Sequence, residues 1–236
     1  HAFAYTENLA EASLPASLQA MGSYAFYRSG IRSVTFEEGI GLAEIPAYAF
    51  GGSALTRVEI PDGVDYIDDN AFRDCLQLQT VEFGSAEGLQ LHANVFYNTG
   101  ITTLSLPANL EYIGEYAFVG LEHLNAFAVD ENNPYYTAID GVLYNKDGTK
   151  LIAMPAGRTG GFVVPRQVES IGFGAFENSS LSEVEFEQGI NLLSLGYRSF
   201  YNAKNLIKIS IPASVVSIDY YAFAECDNLV EVAFAE

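Results

Sequence analysis

The sequence predicts an α/β repeat fold, a right-handed solenoid of about ten units that forms one domain over residues 1–236. The first observation is a recurring motif in which Phe follows a small residue. The second is its spacing of 22–24 residues, which is interrupted once by a step of 58 residues. The third is a strand-like apolar pattern after each motif. The repeated aromatic residues, which we expect to fill the core, are Phe3, Phe26, Phe50, Phe72, Phe96, Phe118, Phe176, Phe200 and Phe223.

Each motif is followed by the pattern Leu-x-x-Val-x-Phe/Ile, for example at residues 55–60 and 181–186. Alternating β-branched and aromatic residues predict a short strand whose Val and Phe or Ile side chains face inward. The next turn contains either Pro, as in I-P-D-G-V (60–64), or an acidic Gly segment, as in F-E-E-G-I (36–40). A second extended piece then leads into a short helical turn at the Ala-Phe motif. Because one unit cannot bury its own apolar face, stacked neighbours with parallel strands complete the core.

The long step between repeats predicts an irregular unit at about residues 128–161 that carries an inserted β-hairpin. Two apolar runs flank N-K-D-G (145–148), and Gly148 suits the positive φ of a hairpin turn. A calcium loop of the EF-hand type would place Leu143 and Met154 at positions where oxygen ligands are required. We therefore expect a turn and no metal or cofactor there, although weak calcium binding at other acidic turns stays open.

Net charge restricts the classes of partner. The chain has 11 Lys and Arg residues against 30 Asp and Glu residues, which gives a formal net charge of −19. Such a chain repels polyanions, so nucleic acid and anionic membrane surfaces are excluded as partners. The sequence also contains no apolar run long enough to insert into a membrane.

No catalytic constellation is evident, so we expect a protein that is not an enzyme. The three histidines, His1, His92 and His123, stand outside any nucleophile motif, and no G-x-S-x-G turn occurs. The abundant carboxylates are expected in solvated turns. Cys75 and Cys226 each lie three residues after a repeated Phe, in units too far apart to form a disulfide, so we expect two buried free thiols.

The strand register predicts a small, polar outward face without aromatic residues, including Arg57/Glu59, Glu183/Glu185 and Lys208/Ser210. A face of this kind is either solvated or in contact with a protein. Tyr side chains combine apolar area with a polar tip and suit recognition, although they also cap cores with an exposed hydroxyl. We expect a ladder of such residues along one edge: Tyr24, Tyr27, Tyr48, Tyr97, Tyr116, Tyr201 and Tyr221. Tyr135, Tyr136 and Lys146, near the hairpin, form a second candidate binding surface.

Two further motifs carry a family resemblance. The entry [L/I]-P-x-S-[L/V] occurs at residues 14–18 and 211–215, and I-G-x-x-A-F occurs at 113–118. Together with the repeat length, they resemble the BspA-like leucine-rich repeats of bacterial cell-surface proteins over nearly the whole chain, although the usual Asn ladder of leucine-rich repeats is absent. The resemblance implies a leucine-rich-repeat solenoid, an extracellular location at the cell surface and a role in adhesion. It also implies that the D-G-V-L-Y segment of the hairpin is a family element.

The sequence therefore predicts a non-enzymatic extracellular module for protein recognition or adhesion, whose partner is a host or neighbouring-cell surface or matrix protein. The alternative hypothesis is a structural spacer that displays another domain. Because both ends of the chain fall inside a repeat, we expect a fragment of a longer protein.

Overall fold

The computed structural model describes residues 1–235, which form a leucine-rich-repeat type β-solenoid of short strands joined by turns. No helix occurs in this part of the chain, and accordingly none has the length and apolarity needed to cross a membrane. The strands are β1 Glu11–Leu14, β2 Ser33–Phe36, β3 Glu44–Ile45, β4 Arg57–Glu59, β5 Tyr66–Ile67, β6 Thr80–Glu82, β7 Leu89–Leu91, β8 Leu104–Leu106, β9 Leu110–Ile113, β10 Phe127–Val129, β11 Tyr136–Ile139, β12 Val142–Asn145, β13 Lys150–Ala153, β14 Gly160–Val164, β15 Ser170–Ile171, β16 Leu181–Phe186, β17 Ser194–Leu195, β18 Lys208–Ile211, β19 Ser217–Ile218 and β20 Glu231–Phe234.

The helical turn expected at each Ala-Phe motif is wrong, and backbone geometry explains why. Tyr24 and Arg28 flank one motif with φ of 60° and 49°, and a helix requires negative φ at consecutive residues. The N–H of Tyr27 donates to the Tyr24 carbonyl (3.2 Å), which closes a local turn. The N–H of Phe26 instead donates to the Ala49 carbonyl of the next coil (2.7 Å). Alternate N–H groups thus join neighbouring coils, so they are not available for a helix.

Contacts divide the chain into two compact units. Unit 1 comprises residues 1–121 and 129–134, and unit 2 comprises residues 122–128 together with the chain from Tyr135 onward. In unit 1, β3, β5, β7 and β9 form a four-stranded parallel sheet, and β1–β2 and β4–β6 are parallel pairs on another side of the coils. In unit 2, β14–β16 and β18–β20 form equivalent parallel pairs. The predicted parallel stacking is therefore confirmed in each unit.

A stack of repeated Phe rings forms the centre of each core. In unit 1, Phe50 and Phe72 have centroids 5.4 Å apart and planes within 4° of parallel. In unit 2, Phe176 and Phe200 stack at 4.6 Å. These four side chains are at most 1% exposed, whereas Phe3 is 46% exposed. The prediction that the repeated Phe forms the core is confirmed at most motifs, whereas Phe3 at the first motif is exposed and Phe223 at the last is only partly buried.

The acidic Gly turns join neighbouring coils. A carboxylate oxygen of Glu37 accepts the N–H of Ala16 (3.0 Å) in unit 1. Glu187 accepts the N–H of Arg166 (2.8 Å) at the equivalent position in unit 2. In both cases the donor follows the Pro of the preceding coil. In these two turns, the acidic residue therefore joins its coil to the preceding Pro unit through a charge-assisted hydrogen bond.

The predicted hairpin forms within unit 2. β12 and β13 pair antiparallel around a turn in which the Gly148 N–H donates to the Asn145 carbonyl (2.9 Å). Gly148 has φ of 71°, and the Asn145 side-chain oxygen accepts the N–H of Lys150 (2.8 Å). Asn145 thus contributes to the turn, as turn chemistry predicts.

The hairpin is larger than expected, because β11 adds a third antiparallel strand. β11 meets β12 through Asp140 and Gly141, both at positive φ (50° and 74°). Such a D-G turn is a strong hairpin signal, which the prediction of a single hairpin around N-K-D-G leaves out. β13 also pairs in parallel with β15, in the strand order β11-β12-β13-β15-β17-β19. The insertion therefore occupies a strand position of the repeat instead of protruding from it.

The two thiols lie at equivalent positions but differ in exposure. Each donates to a carbonyl at 3.0 Å, Cys75 to Phe50 and Cys226 to Phe200. Both cysteines are free, as predicted. Cys75 is fully buried, whereas Cys226 is only partly buried, so the expectation of two buried thiols is wrong for Cys226.

Candidate functional site

Three of the predicted tyrosines form a half-buried cluster in unit 1. The rings of Tyr24 and Tyr48 stack at 4.8 Å with planes 6° apart. Tyr27 packs edge-on against both rings, at 5.3 Å and 5.9 Å. Tyr24 and Tyr48 occupy the positive-φ position of consecutive coils, which places their side chains one above the other.

The predicted ladder does not continue through unit 1. Asn70 and Asn94 occupy the tyrosine position in the next two coils, again with positive φ. Tyr97 lies at the other tyrosine position, where the Arg73 guanidinium is 4.4 Å from its ring centroid. Tyr116 is half-buried. The predicted tyrosines of this unit therefore do not form a single row. Three of them form a cluster, and Tyr97 and Tyr116 occupy separate positions.

The tyrosines of unit 2 contact different neighbours. The Arg198 guanidinium lies 3.7 Å from the ring centroid of Tyr201, a cation–π contact. Tyr221 is 62% exposed and packs edge-on against Tyr197 at 5.9 Å. The two tyrosines predicted in this unit, Tyr201 and Tyr221, therefore occupy separate positions as well.

The second candidate surface lies at the start of the insertion. Tyr135 is 47% exposed, and its ring centroid is 6.5 Å from that of the half-buried Tyr136. Lys146 is exposed, and its backbone N–H donates to the backbone carbonyl of Tyr135 (2.7 Å). The structure thus brings these three residues together on the edge formed by β11 and the β12–β13 turn.

A surface groove of about 860 Å³ lies on the outward strand face of unit 2. Four glutamates and one lysine line it, together with the half-buried Phe186: Glu183, Glu185, Glu187, Glu231 and Lys208. The outward positions alternate with buried ones as predicted, for example in β18, where Lys208 and Ser210 are exposed and Ile209 and Ile211 are buried. The groove itself was not predicted, because it depends on the shape of the turns that follow the strands.

An equivalent groove of about 590 Å³ occurs in unit 1. There the turn F-E-E-G-I (36–40) faces the Pro turn that contains Pro61, as F-E-Q-G-I (186–190) faces Pro212 in unit 2. Arg57 in this groove forms ion pairs with two glutamates of the strand face, at 2.5 Å and 2.9 Å. The same repeat positions therefore generate both grooves, and basic charge offsets part of the acidic charge in the smaller one.

A buried acid lies near the repeated turns of unit 2. The Glu177 side chain is 2% exposed, and one of its carboxylate oxygens accepts a hydrogen bond from Arg198 at 2.6 Å. The other oxygen, Oε2, is buried without a hydrogen-bond partner. Burial raises the pKa of Glu177 to about 7, although the neighbouring guanidinium opposes the shift. The Glu177–Arg198 contact is therefore structural, and the pKa of its acid is higher than that of an ordinary glutamate.

One group of side chains has the donor set of a metal site. Asp68, Asp69 and His92 each place a potential ligand atom within 4.8 Å of the other two. The sequence predicts these carboxylates in solvated turns and gives His92 no catalytic role. Their proximity follows from the stacking of coils, which brings together residues 23 or 24 positions apart.

Solved structures resemble this chain over most of its length. The crystal structure of the pneumococcal vaccine antigen PcpA matches with a TM-score of 0.85 and 27% identity, over 95% of this chain and 58% of that chain. A leucine-rich repeat protein from Eubacterium ventriosum matches with a TM-score of 0.71 and 26% identity, over 86% and 60% of the two chains. This chain therefore spans less than two thirds of either protein.

A leucine-rich cell surface protein from Faecalibacterium prausnitzii has the same fold, with a TM-score of 0.62 and 24% identity over 97% of this chain and 79% of that chain. No curated protein sequence matches. The family described as "BspA type Leucine rich repeat region" matches residues 1–125 and 159–236 in six copies, and the unmatched segment contains the hairpin. Its repeats coincide with the stacked Phe coils, so this chain belongs to the BspA-type leucine-rich repeat family.

Proposed function

We propose that the chain is a non-enzymatic recognition or adhesion module of a bacterial cell-surface protein, and that it binds a basic protein surface through its strand face. The observation that supports this most is the acidic groove of unit 2, which recurs at the same repeat position in unit 1. The structural relative PcpA is a vaccine antigen, which is consistent with surface display.

Charge selects the class of partner. The formal net charge of −19 attracts basic surfaces over distance, and the exposed Glu185 and Glu231 concentrate negative charge at the groove. Electrostatic complementarity of this kind increases association rates and suppresses acidic competitors. A host or neighbouring-cell surface or matrix protein that presents Lys or Arg side chains fits this requirement.

The shape of the groove suits side chains of that type. Its volume of about 860 Å³ lies within the range of about 300–1,000 Å³ found for ligand sites. Phe186 and Ile190 are half-buried in the lining and offer apolar contact to the methylene stem of Lys or Arg. The neighbouring glutamates then meet the charged end group.

The tyrosines remain a second proposed contact surface. The cluster of Tyr24, Tyr27 and Tyr48 has the amphipathic character that recognition surfaces favour, and the surface of Tyr135, Tyr136 and Lys146 is the alternative near the insertion. Both lie outside the lining of the two grooves, so a mutational test separates them.

The test measures binding of the purified chain to immobilised matrix proteins and to a Lys-rich peptide by biolayer interferometry. We expect saturable binding that the double charge reversal Glu185→Lys and Glu231→Lys weakens at least tenfold. The matched control, Glu115→Lys with Glu122→Lys, changes net charge equally at exposed residues outside the groove and should retain affinity.

Three other outcomes would change the proposal. If both double variants lose binding equally, the interaction is general charge attraction, and the groove is not a site. If Tyr24→Ser with Tyr48→Ser loses binding while the groove variant retains it, the tyrosine cluster is the contact surface. If no probe shows saturable binding, the structural-spacer hypothesis is favoured instead.

A further inference from the structure

The sheet formed by β3, β5, β7 and β9 places metal-type donors at one repeat position. Asp68 follows Ile67 at the end of β5, and His92 follows Leu91 at the end of β7. Ile67 and Leu91 are register partners, so the residues that follow them lie on adjacent coils. Parallel strands are about 4.8 Å apart, which brings equivalent side chains within reach of one ion. Asp69 completes the group, with one ligand atom from each residue within 4.8 Å of the others.

The imidazole of His92 is held in place but is poorly hydrogen-bonded. Its ring lies 4.1 Å from the ring centroid of Tyr66 and 5.3 Å from that of Tyr112. Its Nε2 is buried without a hydrogen-bond partner, and its Nδ1 lies 3.4 Å from the Tyr66 hydroxyl, which is a long hydrogen bond. Leaving a buried polar nitrogen unsatisfied is unfavourable. This unpaired ring nitrogen is an observation independent of the carboxylates.

The two carboxylates are oriented by the backbone. One oxygen of Asp69 accepts the N–H of Ala93 (2.9 Å), and one oxygen of Asp68 accepts the N–H of Asp69 (2.7 Å). Each carboxylate keeps a second oxygen that these contacts do not use. Gly114 occupies the same position on the following coil and adds no side chain over the group. Asp69 is exposed, so an ion can enter from solution.

The local electrostatics favour a cation. Asp68 and Asp69 place two carboxylates within 4.8 Å of the ligand atom of His92. A bound divalent ion would offset this accumulation of negative charge. The donor set of one imidazole and two carboxylates suits a transition-metal ion, since Ca²⁺ and Mg²⁺ take oxygen ligands.

We propose that Asp68, Asp69 and His92 form a binding site for a divalent transition-metal ion, with Zn²⁺ as the best-fitting probe. Three protein ligands leave a coordination position for water or for a donor from a partner molecule. The site lies outside the lining of the acidic grooves, so it goes beyond the proposed recognition function.

The test is isothermal titration of the metal-free chain with ZnCl₂ near neutral pH. We expect one site per chain, and we expect His92→Ala and Asp68→Asn with Asp69→Asn each to weaken it at least tenfold. His123→Ala is the matched control for a histidine elsewhere in the chain. His1→Ala controls for chelation by the terminal imidazole and amino group. Both control variants should bind Zn²⁺ as the wild type does.

An NMR titration of the wild-type chain makes the result independent of whether a variant folds. We expect Zn²⁺ to shift the imidazole ring signals of His92 while those of His123 stay unchanged. Equal Zn²⁺ affinity of the wild type and a folded His92→Ala, loss of binding in His1→Ala, or a titration that leaves the His92 signals unchanged would each overturn the proposal. Ca²⁺ binding as tight as that of Zn²⁺ would overturn the assignment to a transition metal.

Discussion

Replacement of the buried Glu177 by Gln should change how stability depends on pH. The carboxyl side chain is 2% exposed and has one oxygen bonded to Arg198 and one without a hydrogen-bond partner. Burial raises its pKa from 4.5 to about 7 in the folded chain. Folding therefore takes up a proton between these two values. The stability that the protonated acid contributes is fully present below pH 4.5 and is lost as the pH rises through about 7.

The size of the effect follows from the two pKa values. At 1.36 kcal/mol per pH unit, the interval from 4.5 to about 7 corresponds to about 3 kcal/mol of unfolding free energy. Gln resembles the protonated acid in shape and stays neutral at every pH. The stability of Glu177→Gln relative to the wild type should therefore increase by about 3 kcal/mol between pH 4 and pH 8.5.

Urea unfolding followed by circular dichroism at four pH values between 4 and 8.5 measures this difference. The control Glu185→Gln removes the same charge from an exposed position of the same unit, so it reports the general effect of net charge. Repeat proteins do not always unfold in one step, so hydrogen exchange of residues 174–203 provides a local measurement. A difference that stays constant with pH, or that matches the control, would show that the pairing with Arg198 outweighs burial and would refute the reasoning.

Three further predictions concern the coil. Phe72→Ala should lower the unfolding free energy by about 3–5 kcal/mol in urea titrations, because this unexposed ring stacks at 5.4 Å and 5.6 Å between its neighbours. A thiol reagent should label native Cys226 faster than Cys75, since Cys75 is fully buried and burial raises its pKa to about 11; equal rates would contradict this. Glu187→Ala should cost about 1 kcal/mol through loss of the bond to the Arg166 N–H, and an unchanged urea midpoint would argue against that bond.

The spacing of the motif was sufficient to predict the core and the parallel stacking. A repeat too short to bury its own apolar face has to place the same side chain above its equivalent in the next coil. The stacked pair of Phe50 and Phe72 is the direct result. The outward strand positions followed from alternation within each strand, for example Arg57 and Glu59 around the buried Val58.

The helical turns were mispredicted because local preference does not decide the conformation at the Ala-Phe motif. Residues such as Tyr24, Asn70 and Arg198 adopt positive φ, a backbone conformation that residues other than Gly rarely adopt. The hydrogen bonds to the next coil stabilise that conformation, and they are tertiary contacts that a sequence window does not contain. The third strand of the insertion was different, because the Asp140-Gly141 turn is a local signal that the sequence does carry.

The candidate sites could be found only by aligning the repeats in register. His92 and Asp68 are 24 residues apart and share no motif, yet both directly follow the second extended segment of their coils. The same alignment shows that the tyrosine position is occupied by Asn70 and Asn94, which breaks the expected ladder. In a stacked fold, equivalent positions of successive coils lie in one row, and such a row forms a continuous surface.

This principle predicts that binding by such a chain depends on departures from the repeat. A row of identical residues, such as the Phe stack, contributes mainly stability, because each member serves the same packing role. A row whose chemistry changes between neighbours offers a local site, as we propose where Asp68 and His92 are followed by Gly114. The two grooves are a second example. Both are formed by an acidic Gly turn next to a Pro turn, and single residues such as Arg57 and Lys208 make their charges different. Substitutions at those variable positions should therefore alter binding with little effect on the fold, whereas substitutions in the Phe row should do the reverse.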